Sequence, residues 1–276
     1  MTTAINSVEL RSIAEGAAHS VGDYLRKAFR GVMNVDQKRD QHDLVTEHDR
    51  ACEEMISTYI REHNPGAILF GEEAGRIDAE GPATWYIDPI DGTSNFVQGL
   101  AFFCCSIGVE VEGEIVAGAV YDPMADNMFS ADANGAYLNG ETLKTNPALP
   151  AGAATVITGY PTAKDLEIDG DEFALGVFNS LVTDFSSVRR TGSGALSLCH
   201  VAAGWTDSAF GASVNAWDVS AAMFVIRQAG GTYQDIRYSE EQGHDHLAPG
   251  YIAYGPGGDF PTLIKAREDL IKNRQR

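Results

Sequence analysis

Short strand-like apolar runs alternate with segments of helical period along most of this 276-residue chain. Apolar spacing predicts a long first helix within the first thirty residues, and a second helix that Thr46 caps and that ends before Pro65. The remaining predictions are strands at 67–70, 85–87, 102–109, 114–121, 155–158, 184–188, 208–210, 232–236 and 251–254, and helices at 172–183, 193–203, 219–228 and 261–272. Such a succession is typical of stacked layers of helices and sheets.

The charge balance limits the classes of partner. Against 20 basic residues the chain has 39 acidic ones, and its formal net charge is −19. No run of lysine and arginine offsets this charge, so we expect no binding to nucleic acid or to anionic membrane surfaces. No segment approaches the length of a membrane span, and the four cysteines show no metal or disulfide spacing. These features predict a cytoplasmic protein with buried, reduced thiols.

Acidic residues recur where predicted strands end and helices begin. Glu72 follows the strand at 67–70, Asp88 and Asp91 follow the next strand, and Asp218 opens a helix. Because such positions meet at one edge of a sheet, these carboxylates are expected to lie close together. Grouped carboxylates repel one another unless cations lie between them, and hard divalent ions such as Mg²⁺ prefer oxygen ligands.

The stretch WYIDPIDGTSNF, residues 85–96, supplies most of this pattern. Asp88 can bridge two metal ions, Asp91 can bind the second, and Pro89 can turn the Ile90 carbonyl toward the first.

The turn that follows suits a phosphate group. If a helix begins at Thr93, the backbone N–H groups of the turn are free to bind phosphate oxygens; they belong to Gly92, Thr93 and Ser94.

Simpler interpretations of single residues stay open. An Asp-Gly turn after a strand is common, and Asp218 can be a favourable charge at a helix N-terminus. Other chemistries fail on spacing. A haloacid dehalogenase-type phosphatase needs an aspartate two residues before Asp91, where this chain has Pro89. The chain also lacks a P-loop, a calcium loop, zinc-ligand spacing and a nucleophile elbow with a matching triad.

Taken together, the motifs closely resemble the inositol monophosphatase family of Mg²⁺-dependent, lithium-sensitive phosphatases. The resemblance rests on WYIDPIDGTSNF, on GEE at 71–73, on DLVTEHD at 43–49 and on WDVSAA at 217–222, and it covers most of the chain in the family's order. It implies a five-layered α-β-α-β-α sandwich of the sugar phosphatase type, in the α+β or α/β class, and a homodimer. We expect two halves, residues 1–145 with most metal ligands and residues 146–276 with Asp218 and the substrate side.

The resemblance also assigns roles to individual residues. Two or three Mg²⁺ ions would be bound by Glu72, Asp88, the Ile90 carbonyl, Asp91 and Asp218. Thr93 paired with Asp49 would orient and deprotonate the attacking water, and Glu72 could assist through a third ion. Phosphate would bind at Gly92, Thr93 and Ser94, Lys38 would lie near the metals, and the segment Gly192, Ser193 and Gly194 would line the pocket for the alcohol.

One position departs from the family's pattern. Inositol-specific members have a glutamate six residues before the tryptophan of WD, and here that position is Gly211. The missing carboxylate predicts open space and a different alcohol, because losing a hydroxyl-binding group alters discrimination strongly. A small phosphate monoester is therefore expected as the substrate, with sugar phosphates, histidinol phosphate and nucleotide 3′-phosphates as alternatives to inositol phosphate. A non-catalytic binder of metal or phosphate is the alternative from another class.

Overall fold

The computed structural model describes residues 6–32, 35–37, 44–239 and 243–275. In these ranges the helices are α1 (Ser7–Ser20), α2 (Gly22–Ala28), α3 (Glu47–His63), α4 (Thr93–Gln98), α5 (Ala163–Asp169), α6 (Asp171–Asp184), α7 (Gly194–Ala202), α8 (Ala216–Gln228) and α9 (Pro261–Arg274). The strands are β1 (Val35–Gln37), β2 (Leu44–Thr46), β3 (Ile68–Gly71), β4 (Gly75–Ile77), β5 (Ala83–Asp91), β6 (Cys104–Val111), β7 (Glu114–Asp122), β8 (Asn127–Asp132), β9 (Gly135–Leu138), β10 (Glu141–Leu143), β11 (Thr155–Thr158), β12 (Ser187–Arg189), β13 (Ser208–Gly211), β14 (Thr232–Ile236) and β15 (Gly250–Tyr254).

Two mixed sheets and three helical layers form the sandwich. The larger sheet has the strand order β10-β9-β8-β7-β6-β5-β3-β4, and the smaller has the order β12-β11-β13-β15-β14. Helices α1 and α3 pack on the larger sheet, α7 and α8 contact strands of both sheets, and α6 and α9 contact strands of the smaller one. This arrangement confirms the predicted α-β-α-β-α sandwich.

Successive side chains of β5 point to opposite faces of the larger sheet and join two different hydrophobic cores. Trp85 and Ile87 of β5 join the core that contains α1 and α3. Tyr86, between them, joins the core that contains α7 and α8. All nine residues of β5 are buried, because helices cover both faces of this central strand. The strand that carries Asp88, Ile90 and Asp91 is therefore buried between two layers of helices.

Glycines bring α8 close to the larger sheet. A Cβ added at Gly108 of β6 would lie 2.2 Å from the Ser220 Oγ, and one added at Gly118 of β7 would lie 2.9 Å from the Ala221 Cα. Both contacts are far shorter than van der Waals separation. The helix that carries Asp218 therefore approaches the sheet backbone at a distance that only glycine permits.

Several predicted elements have different bounds in the structure. The first helix is interrupted at Val21, which leaves α1 and α2 as separate helices. The predicted strand at 85–87 continues to Asp91. Of the predicted strand at 184–188, residue 184 ends α6 and only residues 187 and 188 belong to a strand, β12. Helix α4 begins at Thr93, the position considered for a helix start, whereas helix α5 and the strands β1, β2, β4, β8, β9 and β10 were not predicted. Residues 144–154 lie between β10, in the larger sheet, and β11, in the smaller one, and the division at residue 145 stays a prediction.

All four cysteines are buried and free, as expected from their spacing. Within the described ranges, none of the helices has the length and apolar character needed to cross a membrane.

Candidate active site

Asp88 and Asp91 occupy the carboxyl-terminal end of β5, inside the strand rather than after it. The pairing with β6 sets Asp88 opposite Ser106 and Asp91 opposite Cys104, so the two residues between the aspartates face a single residue of β6. One of these two residues is Pro89, which lacks a backbone donor and fits a bulge in which regular pairing is already broken. Both aspartates are buried, with 2% and 8% of their surface exposed.

Asp91 links β5 to the segment Gly192–Gly194 more than 100 residues away. Its Oδ2 accepts hydrogen bonds from the Ser193 hydroxyl at 2.5 Å and from the Ala195 N–H at 2.7 Å. Its Oδ1 accepts one from the Gly194 N–H at 3.2 Å. These N–H groups belong to the first turn of α7, where a carboxylate is favourable. The glycine-serine segment therefore lies at the predicted site, but Ser193 contacts a candidate metal ligand as well as lining the pocket.

Thr93 and Asp49 are brought together as the resemblance implies. The Thr93 hydroxyl lies 3.1 Å from the Asp49 Oδ1 and 3.0 Å from the Ile90 carbonyl oxygen. The other oxygen of Asp49 accepts bonds from the backbone N–H and hydroxyl of Thr46, which caps α3. Burial raises the pKa of Asp49, and the hydrogen bonds from Thr46 and Thr93 oppose that rise.

Asp218 is the third residue of α8, because the helix begins at Ala216 and not after Asp218. Asn215 caps this helix, and its backbone N–H donates to the Asp218 Oδ2 at 2.7 Å. Burial, together with repulsion from Asp91, raises the pKa of Asp218 to about 8. The favourable position at a helix N-terminus and the unfavourable proximity to other carboxylates therefore both apply to this residue.

The acidic side chains repel one another. Burial raises the pKa of Asp88 well above its ordinary value, and the neighbouring charges of Glu72, Asp91 and Asp218 raise it further. Burial also raises the pKa of Asp91, against the hydrogen bonds from Ser193 and from the backbone of Ala195 and Gly194. In the part of the chain that the structure describes, no arginine or lysine forms an ion pair with Asp88, Asp91 or Asp218.

A hard divalent cation fits this donor set. The candidate donors are all oxygens, namely the carboxylates of Glu72, Asp88, Asp91 and Asp218 and the carbonyl of Ile90. Within the described ranges, no three His, Cys, Asp or Glu side chains already have the spacing that holds a metal ion. Oxygens of Asp91 and Asp218 instead accept hydrogen bonds at the starts of α7 and α8. A cation would have to draw the carboxylates together, and it would relieve the repulsion that raises their pKa values.

The turn predicted to bind phosphate begins with Gly92. Gly92 has φ of 98°, a left-handed conformation that glycine adopts readily, and it precedes α4. A Cβ at this position would lie 3.1 Å from the Phe102 carbonyl oxygen and 3.3 Å from that of Gly192. The N–H groups at the start of α4 have no acceptor within the helix. Lys38, the remaining predicted residue, lies outside the described residues.

Two supporting residues were not found from the sequence. Glu53 is buried on α3, one helical turn after Asp49, and its carboxylate accepts bonds from the N–H groups of Glu73 and Ala74, both at 2.8 Å. It thereby fixes the turn that carries Glu72. Asn95 donates from its side chain to the carbonyls of Phe102 and Thr191 and joins α4 to the segment before α7. The four-residue spacing from Asp49 could have identified Glu53 in the sequence, since it places both side chains on one face of a helix. No such pattern identifies Asn95.

A cavity of about 230 Å³ adjoins this group of residues. Gly192, Ser193 and Gly194 line it, as predicted for the pocket of the alcohol, and so do Gly211 and Tyr251. The space beside Gly211 is not open, because a Cβ there would lie 2.7 Å from the Cε1 of Tyr251. The expectation of open space at Gly211 was therefore wrong, since the tyrosine ring occupies it.

Comparison with known proteins identifies the family. Residues 6–272 match the model of the inositol monophosphatase family. Nus factor SuhB of Pasteurella multocida is 35% identical over 257 residues, 92% of each chain. Inositol monophosphatase 3 of Solanum lycopersicum is 36% identical over 235 residues, 83% of this chain and 86% of that protein.

Solved structures agree with this result. The extragenic suppressor protein suhB of Bartonella henselae superposes with a TM-score of 0.83 at 28% identity, over 95% of this chain and 98% of that chain. The Thermotoga maritima IMPase gives a TM-score of 0.80 at 27% identity, with the same coverage. The resemblance seen in the motifs is thus confirmed over nearly the whole chain, and this chain belongs to the inositol monophosphatase family.

Proposed function

We propose that this protein is a Mg²⁺-dependent phosphatase that hydrolyses a small phosphate monoester by direct attack of water. The observation that carries the proposal is the Thr93 hydroxyl, which lies between the Asp49 carboxylate and the Ile90 carbonyl at the end of the acidic strand. Membership of the family supports the same class of reaction. A protein that only binds metal or phosphate has no need of this hydroxyl-carboxylate pair.

The residues of the chain would divide the work as follows. The Thr93 hydroxyl has one hydrogen, and the Asp49 carboxylate is a stronger acceptor for it than a neutral carbonyl. The oxygen of Thr93 can then accept a hydrogen bond from the attacking water, and Asp49 can take up the proton that the water loses. The N–H groups of Gly92, Thr93 and Ser94 would hold the phosphate in line with that water.

Two or three Mg²⁺ ions would be held by Glu72, Asp88, the Ile90 carbonyl, Asp91 and Asp218. When bound, such ions stabilise negative charge on the phosphoryl oxygens and make water easier to deprotonate. The segment Gly192–Gly194 lies beside Asp91 and would position the alcohol half of the substrate. A homodimer that binds no nucleic acid is proposed from the family resemblance and from the net charge of −19.

The similarity to proteins named Nus factor SuhB supports a second candidate. In this case the chain would act as a Nus factor without phosphatase activity. The two candidates differ in what they require of Thr93 and Asp49, since the second has no need of an oriented water.

Replacing Thr93 distinguishes these proposals. Thr93→Val keeps the shape of the side chain but removes the hydroxyl, and it should lower kcat by roughly 10²-fold to 10⁴-fold, as expected for loss of proton transfer. Thr93→Ser keeps the hydroxyl and should retain most of the activity. The measurement is phosphate release from a panel of phosphomonoesters with and without Mg²⁺.

Circular dichroism checks that both Thr93 variants are folded. A wild-type protein that is inert on the whole panel with Mg²⁺ present would overturn the phosphatase proposal and favour the binding role. Equal activities of the valine and serine variants would overturn the role of Thr93.

A further inference from the structure

Tyr251 occupies the position in the cavity where the missing glutamate would project. Gly211 of β13 and Tyr251 of β15 are directly opposite partners in antiparallel pairing, so their side chains share one face of the sheet. Because a Cβ at Gly211 would meet the Tyr251 ring at 2.7 to 3.3 Å, the ring and a larger residue at position 211 exclude each other. The Tyr251 ring therefore fits in this position only because residue 211 is a glycine.

The Tyr251 hydroxyl is available to a ligand. Tyr86 and Tyr160 are also buried and use their hydroxyls within the protein, with Glu110 and Asp169, whereas the buried Tyr233 hydroxyl has no partner among the described residues. Across the described ranges, no protein group hydrogen bonds to the hydroxyl of Tyr251, although the residue lines the cavity and only 3% of its surface is exposed. Burial raises the pKa of this phenol, and the charges of Asp91 and Asp218 raise it further. The phenol is therefore neutral and close to the candidate metal ligands.

The rest of the cavity offers no free carboxylate to a ligand. Among the described residues that line it, Asp165 alone is acidic. Its Oδ2 accepts two bonds from Thr162, and its Oδ1 accepts bonds from Ser213 at 2.6 Å and Arg274 at 2.8 Å. A cationic amine that entered the cavity would find no acidic partner without breaking these bonds.

We propose that Tyr251 determines specificity for the alcohol half of the substrate, in the place of the family's glutamate. This inference rests on the proposed phosphatase function. A carboxylate can only accept hydrogen bonds from hydroxyl groups, whereas a neutral phenol can also donate to a ring or carbonyl oxygen. The pair Gly211–Tyr251 thus favours phosphate esters of neutral alcohols that present an acceptor oxygen, such as cyclic sugar phosphates, over histidinol phosphate with its ammonium group.

The experiment compares two tyrosines that stack on each other. Tyr251 and Tyr233 have ring centroids 5.4 Å apart at an angle of 20°, and Tyr233 does not line the cavity. Tyr251→Phe keeps the ring that covers Gly211 and removes only the hydroxyl; Tyr233→Phe is the matched control. Values of kcat and KM are measured for a cyclic sugar phosphate, myo-inositol 1-phosphate, histidinol phosphate and phenyl phosphate, which presents no acceptor oxygen on its alcohol.

Loss of one neutral hydrogen bond should lower kcat/KM for the sugar phosphate by roughly 3-fold to 10-fold in Tyr251→Phe. Most of this loss should lie in KM, because the contact is to the bound alcohol and not to the reacting phosphate. Phenyl phosphate should be unaffected by Tyr251→Phe, and all four substrates should be unaffected by Tyr233→Phe. The double variant Gly211→Glu/Tyr251→Ala should raise the preference for myo-inositol 1-phosphate, whereas Gly211→Glu alone should be destabilised by the clash with the ring.

A kcat/KM for the sugar phosphate that is unchanged in Tyr251→Phe, with wild-type activity present, would overturn this inference alone. It would mean that the ring only covers the glycine. A wild-type protein that hydrolyses none of the four esters would overturn the phosphatase proposal, and this inference with it.

Discussion

Two groups of buried carboxylates in this protein are neutralised in different ways. The arginine cluster consists of Asp165, Asp169 and Arg274, and the acidic cluster consists of Asp88, Asp91 and Asp218. In the arginine cluster the guanidinium of Arg274 bonds to Asp165 at 2.8 Å and to Asp169 at 2.6 and 2.8 Å. Burial opposes ionisation of Asp165, but the hydrogen bonds from Ser213, Thr162 and Arg274 outweigh it and lower its pKa.

The acidic cluster has the opposite balance. The hydrogen bonds at the starts of α7 and α8 do not compensate for burial and mutual repulsion, so the pKa values of all three aspartates are raised. In the arginine cluster the fold supplies its own counter-ion, whereas in the acidic cluster the proposed function gives that role to a dissolved cation. An arginine can hold two carboxylates permanently, whereas a Mg²⁺ ion keeps open positions for water and phosphate.

Neutralising one aspartate of the acidic cluster should cause the largest loss of phosphatase activity. Asp88→Asn removes the central candidate ligand, and Mg²⁺-dependent phosphate release should fall by roughly 10³-fold or more. In the presence of EDTA the same variant should have a higher Tm than the wild type, because one repelling buried charge is gone.

Asp122→Asn is the matched control for Asp88→Asn. Asp122 is also buried, and its carboxylate bonds to the backbone of Met124 and Ala125, away from the site. This variant should keep its activity. Equal loss of activity in the two variants would show that any buried charge matters in the same way, and the comparison between the clusters would fail.

Removing the cation of the arginine cluster should mainly affect stability. Arg274 is 6% exposed, and Arg274→Met would leave two buried carboxylates without their partner, at a cost of about 3–5 kcal/mol in the free energy of unfolding. Denaturation in urea measures this loss. Arg237→Met, which removes a half-exposed arginine from two surface ion pairs, should cost at most about 1 kcal/mol. Similar losses in both variants would remove the distinction between buried and exposed pairs.

A smaller effect on the stability of the folded protein is expected from pH, and its sign differs between the two clusters. The folded-state pKa of Asp218, about 8, lies above the ordinary value of 3.8. Its stabilising contribution is therefore complete below the ordinary pKa and is lost as the pH rises through about 8. For Asp165, whose pKa is lowered, stability is present above the ordinary pKa and is lost as the pH falls through the folded-state value.

Melting curves in EDTA from about pH 6 to about pH 9 test the Asp218 half of this comparison. The Tm should fall with pH in the wild type, and it should fall less in Asp218→Asn or with Mg²⁺ present. Identical slopes in all three conditions would contradict the raised pKa.

The sequence led to the acidic cluster because its residues recur within short, recognisable stretches. Asp88 and Asp91 follow an apolar run, and Thr93 with Asp49 fit the family motifs. The arginine cluster could not be found in this way, since Asp165 and Arg274 are more than 100 residues apart and match no motif. Tyr251 was missed for the same reason, because only the antiparallel pairing of β13 and β15 sets it beside Gly211.

Boundaries were predicted less well than chemistry. A bulge at Pro89 extends β5 to Asp91, and a capping interaction at Asn215 moves the start of α8 two residues before Asp218. Neither follows from apolar periodicity, because each depends on hydrogen bonds between specific polar groups.

Gly108 and Gly118 determine how closely α8 packs on the larger sheet. They set the depth at which α8 rests on the sheet, and Asp218 is attached to that helix while Asp88 is attached to the sheet. The gap between the two carboxylates is therefore fixed by the absence of two methyl groups some distance from any ligand. A chain of this design can lose its chemistry through a change in the middle of a strand that leaves every acidic residue in place.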